Sequence, residues 1–309
     1  MTSRFTGIRR LAAALTTATA LLVAVPAAPA QAASGPSGIS AKGAILINAS
    51  SGKALWSKAG DTRRPMASTT KIMTAVVVLE TKGVNLNRRI TIKKQYRSYV
   101  AAKGASTADL RTGDKVTVSQ LLYAMMLPSG CDAAYALADN FGTGRTMSAR
   151  TANFISRMNT KARTLGLKNT HYDSFDGISP KGQTYTTPRS LALLTRHALG
   201  SKSFRTVVAT TKTRQKATNG RTYTWYNTNK LLGSYKGTLG VKTGTSTPAG
   251  PCLVFAANRN GRTVIGVLLN DRANRFTDAA KVLNWTYGVK KSAITTFVPR
   301  SLPMGVPTD

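Results

Sequence analysis

Short apolar runs separated by turn residues lie near both ends of the chain, and they predict β-strands. Near the N terminus, Ala44–Asn48 and Lys53–Ser57 flank the turn sequence Ala-Ser-Ser-Gly, which predicts a hairpin. The sequence Asn-Arg-Asn-Gly at 258–261 predicts a second hairpin turn. Three further strands are predicted towards the C terminus, at Leu239–Thr245, Cys252–Asn258 and Arg262–Leu269. The sheet is therefore expected to draw its strands from both ends of the chain.

Helical periodicity dominates the segment between these two groups of strands. A capping-box sequence, Thr-Val-Ser-Gln at 117–120, predicts the start of a helix that runs to Met126. Phe154, Met158 and Ala162 recur at four-residue spacing and predict the buried face of another helix. Other helices are predicted to start near Ser68, Asp132, Pro188 and Phe276. The pattern predicts an α/β arrangement, in the α+β sense, with a helical lobe over about 82–230 inserted between the sheet segments.

The start of the chain has the layout of a secretory signal peptide. A basic stretch with Arg9 and Arg10 is followed by the apolar run Leu11–Val25 and by an Ala-Gln-Ala cleavage site at 30–32. We expect residues 1–33 to be removed and the mature protein to be secreted. The apolar run is too short to span a bilayer comfortably, so no transmembrane anchor is expected after cleavage. The rest of the chain is expected to form one domain over 34–300, followed by a tail over 301–309.

The net charge of +33 is extreme for a chain of 309 residues. Such a charge predicts attraction to polyanions, which outside the cell means anionic wall polymers or an anionic membrane surface. The alternative is a general surface bias of the source genome, and composition does not separate the two. Basic residues are spread along the chain instead of forming one recognition element, so nucleic-acid binding is not expected.

Cysteine and histidine are too few and too dispersed to predict a metal site. His171 and His197 lack the spacing of metal ligands, and the sequence contains no zinc motif, so no cofactor is expected. A secreted protein permits a disulfide between Cys131 and Cys252. We nevertheless expect free thiols, because Cys131 lies in a candidate catalytic motif.

Ser68 and Lys71 form the first candidate catalytic pair. At this spacing on a helix, a hydroxyl and an amine lie on the same face, one turn apart. A serine needs a neighbouring base to act as a nucleophile. The residues after Lys71 are apolar nearly all round, so the helix is predicted to be buried and to supply the desolvation that a lysine base requires. The pair alone is weak evidence, since the same spacing is common on surface helices.

Two further motifs follow in the chain. Leu-Pro-Ser-Gly-Cys at 127–131 is a helix-breaking turn, and Gly-Val-Lys-Thr-Gly-Thr at 240–245 is a strand with a cation, two hydroxyls and a glycine. The order Ser-x-x-Lys, Ser-x-Asn, Lys-Thr-Gly is typical of penicillin-recognising serine acyl transferases, and this chain resembles that pattern. The specific resemblance is to low-molecular-mass penicillin-binding proteins, the D-alanyl-D-alanine carboxypeptidases and transpeptidases. It covers roughly Gly43–Gly288.

The resemblance implies a fold of the β-lactamase/DD-peptidase type, in which a five-stranded antiparallel sheet with packed helices lies beside an all-helical lobe. It implies that Ser68 attacks the carbonyl between the two terminal D-alanines of a peptidoglycan stem peptide and that Lys71 takes the serine proton. Ser129, together with Lys242, would pass a proton to the leaving amine. The backbone N–H groups of Ser68 and Thr245 would form the oxyanion hole.

The same resemblance implies a binding site for the terminal carboxylate of the substrate. Lys242, Thr243 and Thr245 would hold it through charge-assisted hydrogen bonds, and Gly244 would let the ligand approach the backbone. Cys131 departs from the pattern, because most relatives have an asparagine whose amide bridges the lysine and the substrate carbonyl. A thiol cannot make both bonds. One interpretation is a harmless variant, as in some actinobacterial DD-transpeptidases, and the other is altered acyl-donor handling with sensitivity to thiol reagents. We favour the two together, since Cys131 is expected to lie by the cleft in both cases.

Penicillin and other β-lactams mimic the terminal dipeptide, so the resemblance implies that they acylate Ser68. Whether water or an amine accepts the acyl group separates a carboxypeptidase from a transpeptidase, and the motifs do not decide between them. A β-lactamase is less expected, because class A enzymes place a glutamate between the second and third motifs. Glu80, the only glutamate, precedes both motifs, and Asp173 and Asp176 in that interval match no such motif. The intact motifs also argue against a non-catalytic cationic wall-binding protein.

Overall fold

The strands predicted at the two ends of the chain join in one antiparallel sheet. The computed structural model describes residues 1–3, 35–289 and 297–306, so nearly all of the predicted signal peptide lies outside the described residues. The strands are β1 (Gly43–Asn48), β2 (Ala54–Lys58), β3 (Arg64–Pro65), β4 (Arg89–Thr91), β5 (Lys115–Thr117), β6 (Tyr185–Thr186), β7 (Lys212–Lys216), β8 (Thr222–Tyr226), β9 (Thr238–Gly244), β10 (Cys252–Arg259) and β11 (Arg262–Leu269). The large sheet has the order β2–β1–β11–β10–β9, which confirms the predicted five-stranded antiparallel sheet.

Helices cover both faces of this sheet. They are α1 (Lys71–Leu79), α2 (Lys94–Lys103), α3 (Val118–Met126), α4 (Cys131–Phe141), α5 (Met147–Thr164), α6 (Pro188–Ala198), α7 (Lys202–Ala209) and α8 (Arg275–Thr286). Along β1, Ile45 and Ile47 belong to the core shared with α1 and α6, whereas Ala44 and Leu46 belong to the core under α8. Because alternate side chains are buried on opposite faces, the strands are nearly continuous apolar runs.

The segment predicted as a helical lobe, residues 82–230, is mostly helical and also contains short sheets. β4 pairs with β5 and β7 pairs with β8, while β6 pairs with β3. α2, α3 and α5 pack around α4. α6 packs against β1 and β11, and α7 packs against β9, so both helices lie on the large sheet.

Several element boundaries follow their local sequence signals. The capping box forms at the start of α3, where Thr117 Oγ1 accepts from the Gln120 N–H and Gln120 Oε1 accepts from the Thr117 N–H. The three residues predicted at four-residue spacing in α5 are the buried residues of that helix. Asn260 and Gly261, with φ of +50° and +75°, form the turn between β10 and β11. Positive φ at both turn residues matches the right-handed twist of the strands.

The part of the C-terminal segment that the structure describes, residues 297–306, contains no helix or strand. The Phe297 ring lies 6.2 Å from the Tyr235 ring. Arg300 donates to the backbone oxygen of Asn227 at 2.6 Å and to that of Leu232 at 3.1 Å. Phe297 and Arg300 thus both contact the domain. None of the helices in the described ranges is both long enough and apolar enough to cross a membrane.

Asp271, two residues after the end of β11, is a buried carboxyl that opposes folding at neutral pH. Burial and the adjacent Asp278 carboxylate raise the pKa of Asp271 to about 6, from an ordinary value of 3.8. The folded protein therefore binds more protons than the unfolded chain between these values, and its stability falls as the pH rises through this window. We expect Asp271→Asn to increase the free energy of unfolding at pH 7.5 by about 1–3 kcal/mol.

Urea denaturation from pH 4 to pH 8 measures this effect, which should nearly disappear at pH 4. The matched control is Asp61→Asn, because Asp61 is an exposed carboxylate paired with Arg189 at 2.8 Å. Loss of that ion pair in Asp61→Asn should change the free energy of unfolding by less than about 1 kcal/mol. An Asp271→Asn protein that is less stable than the parent at pH 7.5, or a stability gain that does not depend on pH, is inconsistent with this account.

Candidate active site

Ser68 lies on a one-turn 3-10 helix, Ala67–Thr70, that leads directly into α1. The helix predicted to start near Ser68 is therefore present, with a first turn of the 3-10 type and α-helix from Lys71 onwards. The predicted contact still forms, and Lys71 Nζ lies 2.8 Å from Ser68 Oγ. In a 3-10 turn, residues three apart lie almost directly above each other, so this geometry aligns the pair as well as an α-helix would. Ala67, just before the serine, has φ of +46°, a strained value for alanine.

Lys71 is fully buried, and its amine is surrounded by hydrogen-bond partners. Besides Ser68 Oγ, Nζ contacts Cys131 Sγ at 3.4 Å and the backbone oxygen of Asp176 at 3.0 Å. Each of these three atoms can accept a hydrogen bond from the amine. None of the three atoms carries a full charge when the thiol is protonated, so the amine is held in place without a direct ion pair.

The second motif lies in the loop between α3 and α4. Ser129 has φ of +66° and is fully buried, and its hydroxyl has no hydrogen-bond partner among the described residues. Buried hydroxyls are normally bonded, so this group is set to bond with a molecule that enters the site. Cys131 begins α4, and its backbone N–H donates to the Ser106 oxygen at 2.8 Å. That bond holds the motif against the loop that follows α2.

Cys131 and Cys252 are both free thiols, as predicted. Burial raises the pKa of the Cys131 thiol, the nearby Lys71 amine lowers it, and the Asp176 carboxylate raises it again, with a net increase. Only 1 % of Cys131 is exposed. The thiolate is the reactive form of cysteine. The structure therefore argues against the predicted sensitivity to thiol reagents.

The third motif lies on β9, the edge strand beside the 3-10 turn. A Cβ atom at Gly244 would lie 2.9 Å from the Ser68 backbone nitrogen and 3.0 Å from that of Thr69. This glycine therefore lets β9 approach the nucleophile turn, whereas the sequence suggested that it lets a ligand approach the backbone. Lys242 and Thr243 are each 1 % exposed. Lys242 Nζ donates to the Thr243 backbone oxygen at 3.0 Å.

A cleft of about 420 Å³ opens above these motifs. Of the predicted site residues, Ser68, Cys131 and Thr245 line it, while Ser129, Lys242 and Thr243 are buried and are not part of its lining. The Thr243 hydroxyl lies 2.5 Å from that of Thr228, in a segment that also bonds to the loop of Ser129. The other walls come from the loop after α2 and from the loop between α5 and β6. The cleft thus brings together all three motifs, although only one residue of each faces it directly.

Arg275, at the start of α8, is a candidate site residue that the sequence analysis missed. Its Nη1 donates to Thr245 Oγ1 and to the Gly244 backbone oxygen, both at 2.9 Å. It also donates to the Cys252 backbone oxygen at 3.1 Å and is only 7 % exposed. A guanidinium beside Thr245 adds positive charge where a substrate carboxylate is expected. No local motif marks this arginine, because it reaches the site from a different element.

Glu80 lies at the C-terminal end of α1, at the opposite end of the helix from Ser68. It forms ion pairs with Lys161, at 2.7 Å, and with His197. A carboxylate in this position cannot activate a water molecule at Ser68. In the described ranges, no group of three or more His, Cys, Asp or Glu side chains is arranged to hold a metal ion.

The chain matches known proteins along most of its length. The family model for D-alanyl-D-alanine carboxypeptidases, peptidase S11, matches residues 29–273. The chain is 50% identical over 291 residues to the D-alanyl-D-alanine carboxypeptidase of Streptomyces sp. strain K15, with 91% of this chain and 99% of that protein covered. It is 30% identical over 251 residues to the carboxypeptidase DacF of Bacillus subtilis. That match covers 80% of this chain and 62% of the longer DacF protein.

A solved structure agrees with these sequence matches. The crystal structure of the Streptomyces K15 DD-transpeptidase superposes with a TM-score of 0.80 at 50% identity, covering 83% of this chain and 100% of that one. The fold is therefore that of this group. The chain belongs to the peptidase S11 family, the D-alanyl-D-alanine carboxypeptidases.

Proposed function

We propose that this protein is a secreted serine acyl transferase that acts on peptidoglycan stem peptides ending in D-Ala-D-Ala. The observation that carries the proposal is the 2.8 Å contact between Lys71 Nζ and Ser68 Oγ, inside a buried site that opens on a cleft. A buried amine beside a serine hydroxyl is the arrangement that activates a nucleophile. Family membership supplies the substrate class.

In the first half of the reaction, Lys71 accepts the Ser68 proton while Oγ bonds to the carbonyl carbon between the two D-alanines. The backbone N–H groups of Ser68 and Thr245 stabilise the negative oxygen that develops. The C–N bond then breaks, and the leaving D-alanine amine takes a proton that Ser129 relays with Lys242. The Ser129 hydroxyl is buried and has no hydrogen-bond partner among the described residues. This supports the role, because the hydroxyl can form a hydrogen bond with the bound substrate. The product is an ester between the shortened peptide and Ser68.

The terminal carboxylate of the substrate binds at the β9 side of the cleft. Thr245 faces the cleft and is bonded to Arg275, so a hydroxyl and a guanidinium lie together at this wall. Lys242 adds a second buried cation, with Thr243 and Gly244 shaping the strand around it. Charge-assisted hydrogen bonds to these groups are strong and directional. They explain a preference for a free C-terminal D-alanine.

The acyl-enzyme can react either with water or with an amine, and each reaction is a candidate function. Water releases a free acid, which is carboxypeptidase activity, and an amine forms a new peptide bond, which is transpeptidase activity. The relatives favour neither alone, because the K15 protein is described as a carboxypeptidase and its crystal structure as a DD-transpeptidase. We take carboxypeptidation as the first function, since it is the activity that names the family.

Penicillin and other β-lactams acylate Ser68 and leave slowly in this proposal. The position of Glu80, paired with Lys161 and His197, supports slow release because it leaves no glutamate to activate water at the ester. The same fact argues against a β-lactamase. The charge of +33 supports retention at the cell surface by anionic wall polymers or membrane lipids.

A donor peptide ending in D-Ala-D-Ala, incubated with the mature protein with and without an amine acceptor, tests the proposed function. We expect release of D-alanine in both reactions, with free acid as the product when no acceptor is present. Cross-linked product in the second reaction would identify transpeptidation as well. Absence of D-alanine release in both reactions would refute the proposal.

A further inference from the structure

A groove lined by three arginines lies apart from the cleft of Ser68. It has a volume of about 480 Å³ and forms where the β1–β2 turn, the corner between α6 and α7, and the start of β11 meet. Arg196, Arg205 and Arg262 line it, and its lining contains no acidic side chain from the described ranges. The groove shares no lining residue with the active-site cleft. A ligand bound here would therefore leave the cleft free for substrate.

Backbone oxygens hold the three guanidinium groups in place. Arg196 donates through Nε and Nη2 to two oxygens of the β1–β2 turn, at 2.7 and 2.5 Å. Arg205 donates through Nη1 to two oxygens just after α6, at 2.6 and 3.0 Å. Arg262 donates through Nη1 to the Thr286 oxygen at the end of α8, at 3.2 Å. These contacts order the side chains, so less conformational entropy is lost when a ligand binds.

The charges of these arginines are not neutralised by carboxylates. Elsewhere in the protein, Arg150 pairs with Asp139 at 2.6 Å and Arg189 pairs with Asp61 at 2.8 Å. The three groove arginines are exposed and form no ion pair with any described residue. A guanidinium has five N–H groups, and the backbone contacts use only one or two of them. The others are available to an anion.

A second cavity, of about 410 Å³, continues the groove. The two cavities share Arg196 and the β1–β2 turn, and the second one reaches His197. The Glu80 carboxylate that contacts His197 is also paired with Lys161 at 2.7 Å, so its negative charge is compensated. Together the cavities form a surface longer than one phosphate group needs. This length suits a chain with repeated negative charges.

We propose that this arginine groove, the surface around Arg196, Arg205 and Arg262, binds a wall polymer whose repeating units are joined by phosphodiesters. Guanidinium groups match phosphate oxygens through paired hydrogen bonds, and they do so in fixed orientations. A polymer chain can enter a concave groove, whereas a flat bilayer surface cannot fill it. The proposal rests on the proposed function only in requiring a secreted protein, and it assigns a place to the retention that the net charge of +33 supports.

Binding of a labelled synthetic poly(glycerol phosphate) to the mature protein, followed by fluorescence anisotropy at several salt concentrations, tests the proposal. The variant replaces all three groove arginines: Arg196→Gln, Arg205→Gln and Arg262→Gln. We expect its affinity to fall about tenfold or more, and the slope of log K against log salt to decrease by about two. D-alanine release should stay within about twofold of the parent, because the groove is separate from the cleft.

The matched control removes the same charge elsewhere, through Arg89→Gln, Arg145→Gln and Arg214→Gln, at three exposed arginines outside the groove. Its affinity for the polymer should change less than about threefold, because distant charges are screened. The thermal unfolding midpoint shows whether each variant is folded. If the triple groove variant does not fold, Arg205→Gln alone should lower the slope by about one.

Two further ligands separate the polymer from other sources of phosphate. Inorganic phosphate should displace the polymer only at a far higher concentration, and phosphatidylglycerol vesicles should bind the groove variant and the control equally. An equal loss of polymer binding in the control, or no polymer binding by the parent, would overturn the proposal. Loss of vesicle binding without loss of polymer binding in the groove variant would also overturn it and assign the groove to a membrane. Failure of the proposed function is a separate result, since it is an absence of D-alanine release by the parent.

Discussion

Ser68→Ala is expected to abolish covalent labelling by a fluorescent penicillin and to reduce D-alanine release by about 10⁴-fold or more. The reason is chemical, because alanine has no atom that can form the ester. The fold should be unaffected, since within the described residues the Ser68 hydroxyl hydrogen-bonds with Lys71, and Thr69 still bonds to the Met66 oxygen at 2.6 Å. Gel fluorescence after incubation with the label, together with the thermal unfolding midpoint, measures both expectations.

Ser246→Ala is the matched control, because Ser246 also lines the cleft. Its labelling should persist at a rate similar to that of the parent. Labelling that survives in Ser68→Ala would show that another residue is the nucleophile.

Lys71→Met should slow acylation by about 10²–10⁴-fold, the range expected for loss of a general base. Methionine is unbranched and apolar, so it fills most of the space of the buried lysine without leaving a charge behind. The Ser68 hydroxyl would then lose its 2.8 Å partner and its proton acceptor. Stopped-flow fluorescence with a labelled penicillin gives the rate, and circular dichroism checks the fold. An acylation rate within tenfold of the parent in a folded protein would mean that Lys71 is not the base.

The central pair was predictable because it is local. Ser68 and Lys71 are three apart, and their contact needs only a helical turn. The type of turn was not predictable. The 3-10 turn Ala67–Thr70 packs closely against Gly244, which lies on a strand near the other end of the chain, and no local pattern shows that contact. A glycine in a sequence shows where a close approach is allowed, but it does not show which atoms approach.

Residues that act across long distances were missed for the same reason. Arg275 reaches Thr245 from α8, and Tyr99 reaches Asp176 from α2. Neither contact has a spacing that a sequence pattern can show. Asp176 was noted only as an acid that matches no motif, yet it is buried beside the base. The sequence alone does not show that the Asp176 side chain is buried, because its burial depends on residues that are distant in the chain.

In the fold too, local features were predictable from the sequence and long-range contacts were not. Alternation and periodicity correctly predicted the five strands of the large sheet and the buried face of α5. They did not show what each buried face packs against. α6 has an apolar face like the lobe helices, but that face packs on β1 and β11. Periodicity identifies a buried face, while the partner is set by tertiary contacts.

Peptide mapping by mass spectrometry of the protein after reaction with penicillin tests the central claim most directly. The account predicts one penicilloyl adduct, located on Ser68 within the sequence Met-Ala-Ser-Thr-Thr-Lys, and predicts that the adduct persists long after free penicillin is removed. An adduct on any other residue, including Cys131, or a protein that stays unmodified, would contradict the account.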